Sequence, residues 1–135
     1  MGLIHVDPNF LHKVWPTVAP MLQRSIDINP EAVSIDQLEL LLRQRREHLL
    51  VWVDDAGEIA GAVTMEFIDY PKQRIAHVNH LGGKGVVREH VFNEAQDWMR
   101  ANGAVIAQCW CKDNLVGMYE KMGMTNTHKV MRITL

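Results

Sequence analysis

Residues 74–111, RIAHVNHLGGKGVVREHVFNEAQDWMRANGAVIAQCWC, decide the fold of this chain. Arg74–Leu81 is a strand-like run that ends in a glycine-rich turn, and Ala104–Cys111 is the most hydrophobic strand of the sequence. Between them, the apolar stripe of about Val86–Asn102 predicts an amphipathic helix that ends at Gly103. A strand, a helix and a second strand in this order form a βαβ unit with a right-handed crossover.

The segment before this unit begins with a short β-prone run, Ile4–Val6, and continues with helical spacing of apolar residues over Asn9–Ile26. Pro16 and Pro20 lie inside the second stretch. Proline in a helix interior removes a hydrogen bond and clashes with the preceding turn. We therefore expect two short helical pieces here rather than one continuous helix.

A second helix and a hairpin follow. Ser34 and Gln37 form a capping box at the start of a helix that is predicted over about Ile35–Glu47. The period then changes to that of strands at Leu49–Val53 and Ile59–Ile68, which an Asp-Asp-Ala-Gly turn separates.

The C-terminal part adds a short helix and a strand. Asp113 opens a helix that runs through Met122, and alternating apolar residues predict a last strand at Lys129–Leu135. The element order is then β–αα–β–β–β–α–β–α–β within a single domain, residues 1–135. This order predicts an α/β (α+β) fold in which helices flank one central, mixed, twisted sheet.

Composition limits the classes of function. The chain has 135 residues, of which 47% are hydrophobic, and its formal net charge of −2 lacks the basic excess of a nucleic-acid-binding protein. No apolar run approaches the roughly 20 residues of a membrane span, and no secretory signal is visible, so we expect a cytoplasmic protein. Cys109 and Cys111 fit a reducing compartment, and the histidines show no ligand spacing, so no metal site is predicted.

The turn of the βαβ unit has the sequence His80-Leu81-Gly82-Gly83-Lys84-Gly85. Backbone N–H groups in a glycine loop and the positive end of the following helix both favour a phosphate or pyrophosphate group. The loop is not a P-loop, because no Gly-Lys-Ser/Thr sequence follows the required spacer. A second interpretation is open at this point, namely that the glycines serve only a tight turn.

Residues 113–124, DNLVGMYEKMGM, resemble the C-terminal signature of the GNAT N-acetyltransferases, N-x-x-A-x-x-Y/F-x-K-x-G-F. Asn114 fits the N-x-x-A part, and Tyr119, Lys121 and Gly123 fit the Y/F-x-K-x-G part, with one residue fewer between the two parts than the pattern has; Glu120 falls at a variable position. Gly117 stands where alanine is usual in the family, and Met124 stands where phenylalanine is usual.

The glycine loop resembles a second motif of the family, the pyrophosphate loop Q/R-x-x-G-x-G/A. His80 stands in place of the glutamine or arginine, and Gly83 and Gly85 stand at the glycine positions. Counted back from Gly103, however, the family's last loop glycine falls near Arg88, so the helix is nearly a turn longer here or the loop is reshaped. The chain also resembles small GNAT-like proteins that are common in bacteriophage genomes.

The resemblance implies transfer of an acetyl or other acyl group from acyl-CoA to an amine, by direct attack in a ternary complex. Tyr119 would protonate the leaving thiolate as general acid. Backbone N–H groups around Asn79–Leu81 would polarise the thioester carbonyl. The residues implied to bind the acyl-CoA are Asn114, on its pantetheine arm, and the loop residues His80, Leu81, Gly82, Gly83, Lys84 and Gly85.

The general base is less clearly marked in the sequence. A neutral histidine is the natural proton acceptor near pH 7, and His77 is preferred because His80 falls at the loop position. The two histidines are three residues apart on one strand, so we expect them on opposite faces of the sheet, where only one can line a given cleft. Glu66 is the alternative base, in the manner of family carboxylates that act through water.

Two interpretations of function stay open on the sequence alone. The first is an active N-acyltransferase whose acceptor is an unidentified amine of a small molecule or a protein. The second is a catalytically inactive GNAT-fold module for binding or assembly, encoded by a bacteriophage. A sheet edge in the C-terminal part could pair with a second copy, so we expect a homodimer. Neither a nucleic acid nor a membrane is expected as a partner.

Overall fold

A computed structural model of the protein describes residues 2–84 and 89–135. Five strands form one sheet in the order β1 to β5, in which every neighbouring pair is antiparallel except the parallel pair β4 and β5. The strands are β1 (Gly2–His5), β2 (His48–Val53), β3 (Ile59–Asp69), β4 (Arg74–Gly83) and β5 (Ile106–Cys109), and the helices are α1 (Leu11–Ile28), α2 (Ile35–Arg43), α3 (Glu89–Ala101) and α4 (Asp113–Lys121). This mixed sheet with its helices confirms the predicted fold class, and β4–α3–β5 confirms the predicted βαβ unit.

Helices cover both faces of the sheet. α1 and α2 pack on one face, here called the α1 face, and α3 packs on the other, the α3 face. Because both faces are covered, β2 is a continuous apolar run. Leu49 and Val51 are buried on the α1 face, and Leu50 is buried on the α3 face. The α1 side also buries Leu11, Val18, Leu22, Leu38, Leu42 and Ala62, and the α3 side buries Val63, Met65, Ala76, Ala95 and Met99.

The expected break in the first helix is wrong, since α1 continues through both prolines. Pro16 and Pro20 are four residues apart and both lie on the exposed side of α1. The carbonyl groups that lose their N–H partners are those of His12 and Pro16, and both residues are exposed. Water can therefore satisfy these carbonyls, and the opposite, buried face of the helix stays intact.

α2 begins as predicted and ends earlier. The Ser34 hydroxyl accepts a hydrogen bond from the N–H of Gln37 at 3.2 Å, and the Gln37 side chain accepts from the N–H of Ser34 at 2.9 Å. The helix ends at Arg43 rather than near Glu47, because Arg45 has a left-handed φ of 61°, which stops helical hydrogen bonding. The early end places Glu47 directly before β2, where its side chain is buried.

The predicted last strand at Lys129–Leu135 is wrong. None of residues 125–135 belongs to a strand, and all of them are exposed. Apolar residues at alternate positions of this segment fit one face of a strand, but a strand also needs a neighbouring strand with which its backbone can form hydrogen bonds. Here Arg132 instead forms an ion pair with Glu31 in the connection between α1 and α2, at 2.5 Å. β5 consequently stays at the edge of the sheet.

Candidate active site

β4 and β5 separate near the middle of the sheet. β5 pairs with β4 only from Ile75 to Val78, opposite Ile106 to Cys109, although β4 continues to Gly83. Beyond Val78, no described strand lies beside β4 on this side. The opening between the two strands, past Val78 and Cys109, is here called the notch.

A β-bulge in β4 lies at the notch. Thr64 of β3 pairs with His80, and the next residue of β3 pairs with Val78. Asn79 is thus an extra residue without a partner in the ladder. The bulge shifts the alternation of β4 by one residue, which brings His77 and His80 to the same face. The expectation that these histidines lie on opposite faces is wrong, because it assumed an unbroken alternation.

A row of polar side chains crosses the α1 face of the sheet beside the notch. Glu66 on β3 opposes His77 on β4, and His77 opposes Gln108 on β5. His77 is buried, its Nδ1 lies 2.9 Å from Nε2 of Gln108, and Trp110 packs edge-on against its ring. Burial lowers the pKa of His77, although the charge of Glu66 opposes this shift. The imidazole is therefore neutral near pH 7.

Sequence reasoning missed two members of this cluster, Glu47 and Asn79, as side chains of the site. Nδ2 of Asn79 donates to Oε1 of Glu47 at 2.9 Å and to Oε2 of Glu66 at 3.1 Å. Burial raises the pKa of Glu47, the hydrogen bond from Asn79 opposes this shift, and the charge of Glu66 adds to it. The only signal in the sequence was a carboxylate two residues before the apolar run Leu49–Val53.

The α3 face of the notch holds an apolar cavity of about 50 Å³. Tyr119 of α4 reaches this cavity beside Cys109, the β5 residue that opposes Val78. Burial raises the pKa of Tyr119 to about 12 and also raises the pKa of the Cys109 thiol. Tyr119 therefore keeps its proton throughout the physiological pH range.

The glycine loop is described only in part, because Gly85 lies outside the described residues. Gly82 and Gly83 each have a packing reason. A Cβ atom on Gly82 would lie 2.2 Å from the carbonyl oxygen of Met21 in α1, and Gly83 has a left-handed φ of 93°. The N–H of Lys84 donates to a carbonyl oxygen of β3 at 2.7 Å, so this group is already in use.

The remaining predicted donor-binding residues lie in three different surroundings. His80 is buried beneath α1, where its Nδ1 lies 3.1 Å from Oγ of Ser25. Leu81 lines the apolar cavity on the other face of the sheet. Asn114 is exposed as the second residue of α4. The structure thus brings His77 and Glu66 together on the α1 face and Tyr119 and Leu81 to the α3 face, with the notch between the two groups.

The other sequence features occupy ordinary positions. Both cysteines are free thiols, with Cys109 half-buried and Cys111 exposed. Among the described residues, no three histidine, cysteine or carboxylate side chains converge on a metal position. None of the described helices has the length and apolar composition that crossing a membrane requires.

Comparison with solved structures finds acetyltransferases that align over nearly the whole chain. A protein described as a probable acetyltransferase is 17% identical with a TM-score of 0.72, covering 100% of this chain and 97% of that chain. Glucosamine-6-phosphate N-acetyltransferase from Arabidopsis thaliana is 15% identical with a TM-score of 0.64, covering 98% and 96%. An aminoglycoside acetyltransferase from an uncultured soil metagenomic sample, solved with sisomicin, is 14% identical with a TM-score of 0.68, covering 98% and 93%.

Sequence comparison adds nothing to these structural matches. No family model matches the chain, and no curated protein sequence matches it significantly. Identities of this size show a shared fold and leave the activity to be argued from the site. On this structural evidence, the chain has the GNAT acetyltransferase fold.

Proposed function

We propose that this protein is an N-acyltransferase that moves an acetyl or other acyl group from acyl-CoA to an amine by direct attack in a ternary complex. The observation that carries the proposal is the notch beyond Val78 and Cys109. It joins a polar cluster with proton acceptors, His77 and Glu66, to an apolar cavity with a proton donor, Tyr119. The acetyltransferase fold supports the same reaction class.

The bulge supplies the group that would polarise the thioester carbonyl. Asn79 has no partner on β3, and β5 ends before it. A backbone N–H held in a fixed position beside the notch can donate to the oxygen on which negative charge develops. Because the bulge belongs to the sheet rather than to a loop, this donor is already in place before the substrates bind.

Tyr119 is the proton donor for the leaving thiolate. Its raised pKa, about 12, keeps the phenol protonated, so its O–H is present to donate to the sulfur on which negative charge develops. The C–S bond then breaks while the phenolic proton moves to sulfur. The cavity around Tyr119 is apolar, which fits the acyl group and the end of the pantetheine arm and excludes water.

The proton of the attacking amine passes to His77 or to Glu66. When the Gln108 amide accepts from Nδ1–H of His77, Nε2 is free to take that proton. When the amide donates to Nδ1, as oriented here, Nε2 carries the proton and Glu66 is the base. Either group lies on the α1 face, so the amine would enter from the side of the polar cluster.

The donor's pyrophosphate is assigned to the glycine loop, and its pantetheine arm to Asn114, on the family resemblance. The exposed position of Asn114 at the start of α4 leaves its amide available for such a bond. One observation favours the alternative, an inactive binding or assembly module. Gly82 and Gly83 already have packing reasons, and the N–H of Lys84 is engaged, so the loop offers fewer free donors than its sequence suggests.

Titration of acetyl-CoA into the purified protein by calorimetry tests the donor site. Loss of thioester absorbance in the presence of a mixture of primary amines then tests turnover. Micromolar binding together with amine-dependent loss of the thioester supports the enzyme. No binding at millimolar acetyl-CoA overturns it, and binding without turnover favours the inactive module. Gly83 variants are unsuitable controls, because Gly83 has a left-handed φ of 93° and their folding would be impaired.

A further inference from the structure

Two carboxylates in the polar cluster share a single neutral donor. Nδ2 of Asn79 is bonded to both Glu47 and Glu66, so the two carboxylate oxygens lie within about 6 Å of each other. The three side chains come from three successive positions across the sheet: the start of β2, β3 and the bulge of β4. An amide supplies hydrogen bonds but no charge.

Among residues 2–84 and 89–135, no cationic side chain forms an ion pair with these two carboxylates. Glu47 is 5% exposed, and Glu66 and Asn79 are half-buried, so the pair is closed at its inner end and open to solvent at its outer end. A buried carboxylate without a cationic partner favours its neutral form, as the raised pKa of Glu47 shows, so a cation bound here would stabilise the charged pair.

An unused hydroxyl faces the same cluster. Thr64 lies on β3 two residues before Glu66 and therefore on the same face of the sheet. Its side chain is fully buried and close enough to Glu47 to affect that carboxyl's pKa. Nevertheless Oγ1 of Thr64 has no hydrogen-bond partner of acceptable geometry among the described residues. Buried hydroxyls are rarely left in this state unless a ligand or water completes them.

The distance from Glu47 and Glu66 to the notch limits the size of a molecule that carries the cation and also reaches the notch. Glu66 directly opposes His77, and His77 borders the notch. Neighbouring strands are about 4.8 Å apart, so the pair lies roughly 5 to 10 Å from the reacting amine, which is the reach of a short alkyl chain. A group with one positive charge and several N–H donors would satisfy both carboxylates and the hydroxyl. An ammonium group has these properties.

We infer that the acceptor is a diamine or polyamine, in which Glu47 and Glu66 hold one ammonium group while a second, neutral amine is acylated at the notch and loses its proton to His77. This inference rests on the proposed acyl transfer for the second amine, but binding of the first does not need the acyl donor. The held nitrogen keeps its proton and forms no covalent bond. A monoamine of the same length would reach the notch without this anchor.

The first measurement is calorimetric binding of 1,4-diaminobutane and of butylamine to the protein without acyl-CoA. The two probes have the same carbon chain and differ by one ammonium group. The expected result is a dissociation constant at least about tenfold lower for the diamine, the ratio that one charge-assisted contact gives. Equal affinities, or no binding of the diamine at millimolar concentration, overturn the inference.

Matched variants locate the site. Glu47→Gln and Glu66→Gln keep the hydrogen-bonding shape and should each weaken diamine binding about tenfold, whereas Glu58→Gln, in the exposed turn after β2, should not. Thr64→Val removes the unpartnered hydroxyl and should weaken diamine binding while raising the denaturation midpoint of the free protein. If Glu47→Gln does not fold, the half-buried Glu66 decides the result.

The outcomes separate this inference from the proposed function. Diamine binding that depends on Glu47 and Glu66, in a protein that fails to bind acetyl-CoA, supports the cation site and overturns only the enzyme. Acetylation of butylamine with no preference for the diamine supports the enzyme and overturns only the cation site. Diamine binding that neither Glu47→Gln nor Glu66→Gln changes also overturns the cation site.

Discussion

Nδ1 of His77 lies 2.9 Å from Nε2 of Gln108, and these two residues form the next-to-last pair between β4 and β5 before the strands separate. The contact sets which nitrogen of the imidazole carries the proton, because the Gln108 amide can either donate to Nδ1 or accept from it. In the proposed reaction, Gln108 would therefore decide whether His77 or Glu66 receives the proton of the attacking amine.

Gln108→Glu is predicted to shift the acidic limb of the pH–rate profile upward. Burial lowers the pKa of His77, so loss of activity in the wild type should begin below about 6.5. A carboxylate at position 108 accepts from Nδ1–H, leaves Nε2 as the base and stabilises the charged imidazole, which raises its pKa by about a unit or more. The measurement is kcat/KM for acetyl transfer against pH, and an acidic limb that stays in place assigns the base to Glu66.

Tyr119→Phe is predicted to lower kcat by about a hundredfold or more, because the leaving thiolate loses its proton donor. Binding of acetyl-CoA should stay within a factor of about three, since the ring still fills the apolar cavity. The chain offers a matched control in Tyr70→Phe, which removes the same hydroxyl from an exposed turn. Equal rates for both variants in single-turnover kinetics would remove Tyr119 from the mechanism.

Gly82→Ala is predicted to destabilise the protein by roughly 2 kcal/mol or more, since its Cβ would lie 2.2 Å from the backbone oxygen of Met21 and would push α1 off β4. Gly117→Ala in α4 is the matched control. A Cβ there meets nothing within 4 Å, so the change should stabilise the helix by about 0.5 to 1 kcal/mol. Urea denaturation midpoints measure both, and a Gly82→Ala midpoint equal to wild type would contradict the close contact.

Local signals in the sequence were enough for most of the fold. The capping box at Ser34 and the period change at Leu49–Val53 depend on neighbouring residues, so the sequence alone located these elements. Two of the wrong predictions, the break in the first helix and the last strand, concern surroundings that lie far away in the sequence. Whether Pro16 breaks a helix depends on which side of the helix faces water, and whether the tail forms a strand depends on a neighbouring strand. Neither is encoded within a few residues.

The candidate site was partly predictable for the same reason. Tyr119 and the loop glycines belong to sequence motifs, and His77 and Glu66 are residue types suited to proton transfer. The bulge at Asn79 depends on how two strands pair, which alternation along one strand does not reveal. Glu47 comes from a different part of the chain, so only the folded sheet brings it into the cluster.

The free edge of β5 and the C-terminal tail predict self-association. Met131 and Ile133 are 89% and 84% exposed, and β5 lacks a strand beyond it among the described residues. We expect a dimer at micromolar concentration in light scattering, in which the tail of one copy adds as a strand to β5 of the other. In such a strand Met131 and Ile133 would share one face, so Met131→Lys together with Ile133→Lys should give a monomer, whereas Thr134→Lys, on the opposite face, should not. A monomeric wild type would contradict the prediction.

Acid is predicted to destabilise the protein through four histidines whose pKa values are lowered in the folded chain. Burial lowers the pKa values of four histidines, which are His5, His48, His77 and His80. Below about pH 6.5 the unfolded chain binds protons that these folded imidazoles resist, so the free energy of unfolding falls as the pH decreases. Glu47 has the opposite effect on stability, because its raised pKa makes the folded chain bind a proton more readily. We expect the four histidines together to outweigh this single carboxyl group.

Urea denaturation at pH 7.5 and at pH 5.5 measures this dependence. His80→Asn should reduce the difference between the two midpoints, because the buried imidazole beneath α1 no longer titrates while a polar partner for Ser25 is kept. His128→Asn, in the exposed tail, should leave the difference unchanged. A urea midpoint that is higher at pH 5.5 than at pH 7.5 would contradict the prediction. It would show that proton uptake by folded Glu47 stabilises the protein more than the histidines destabilise it.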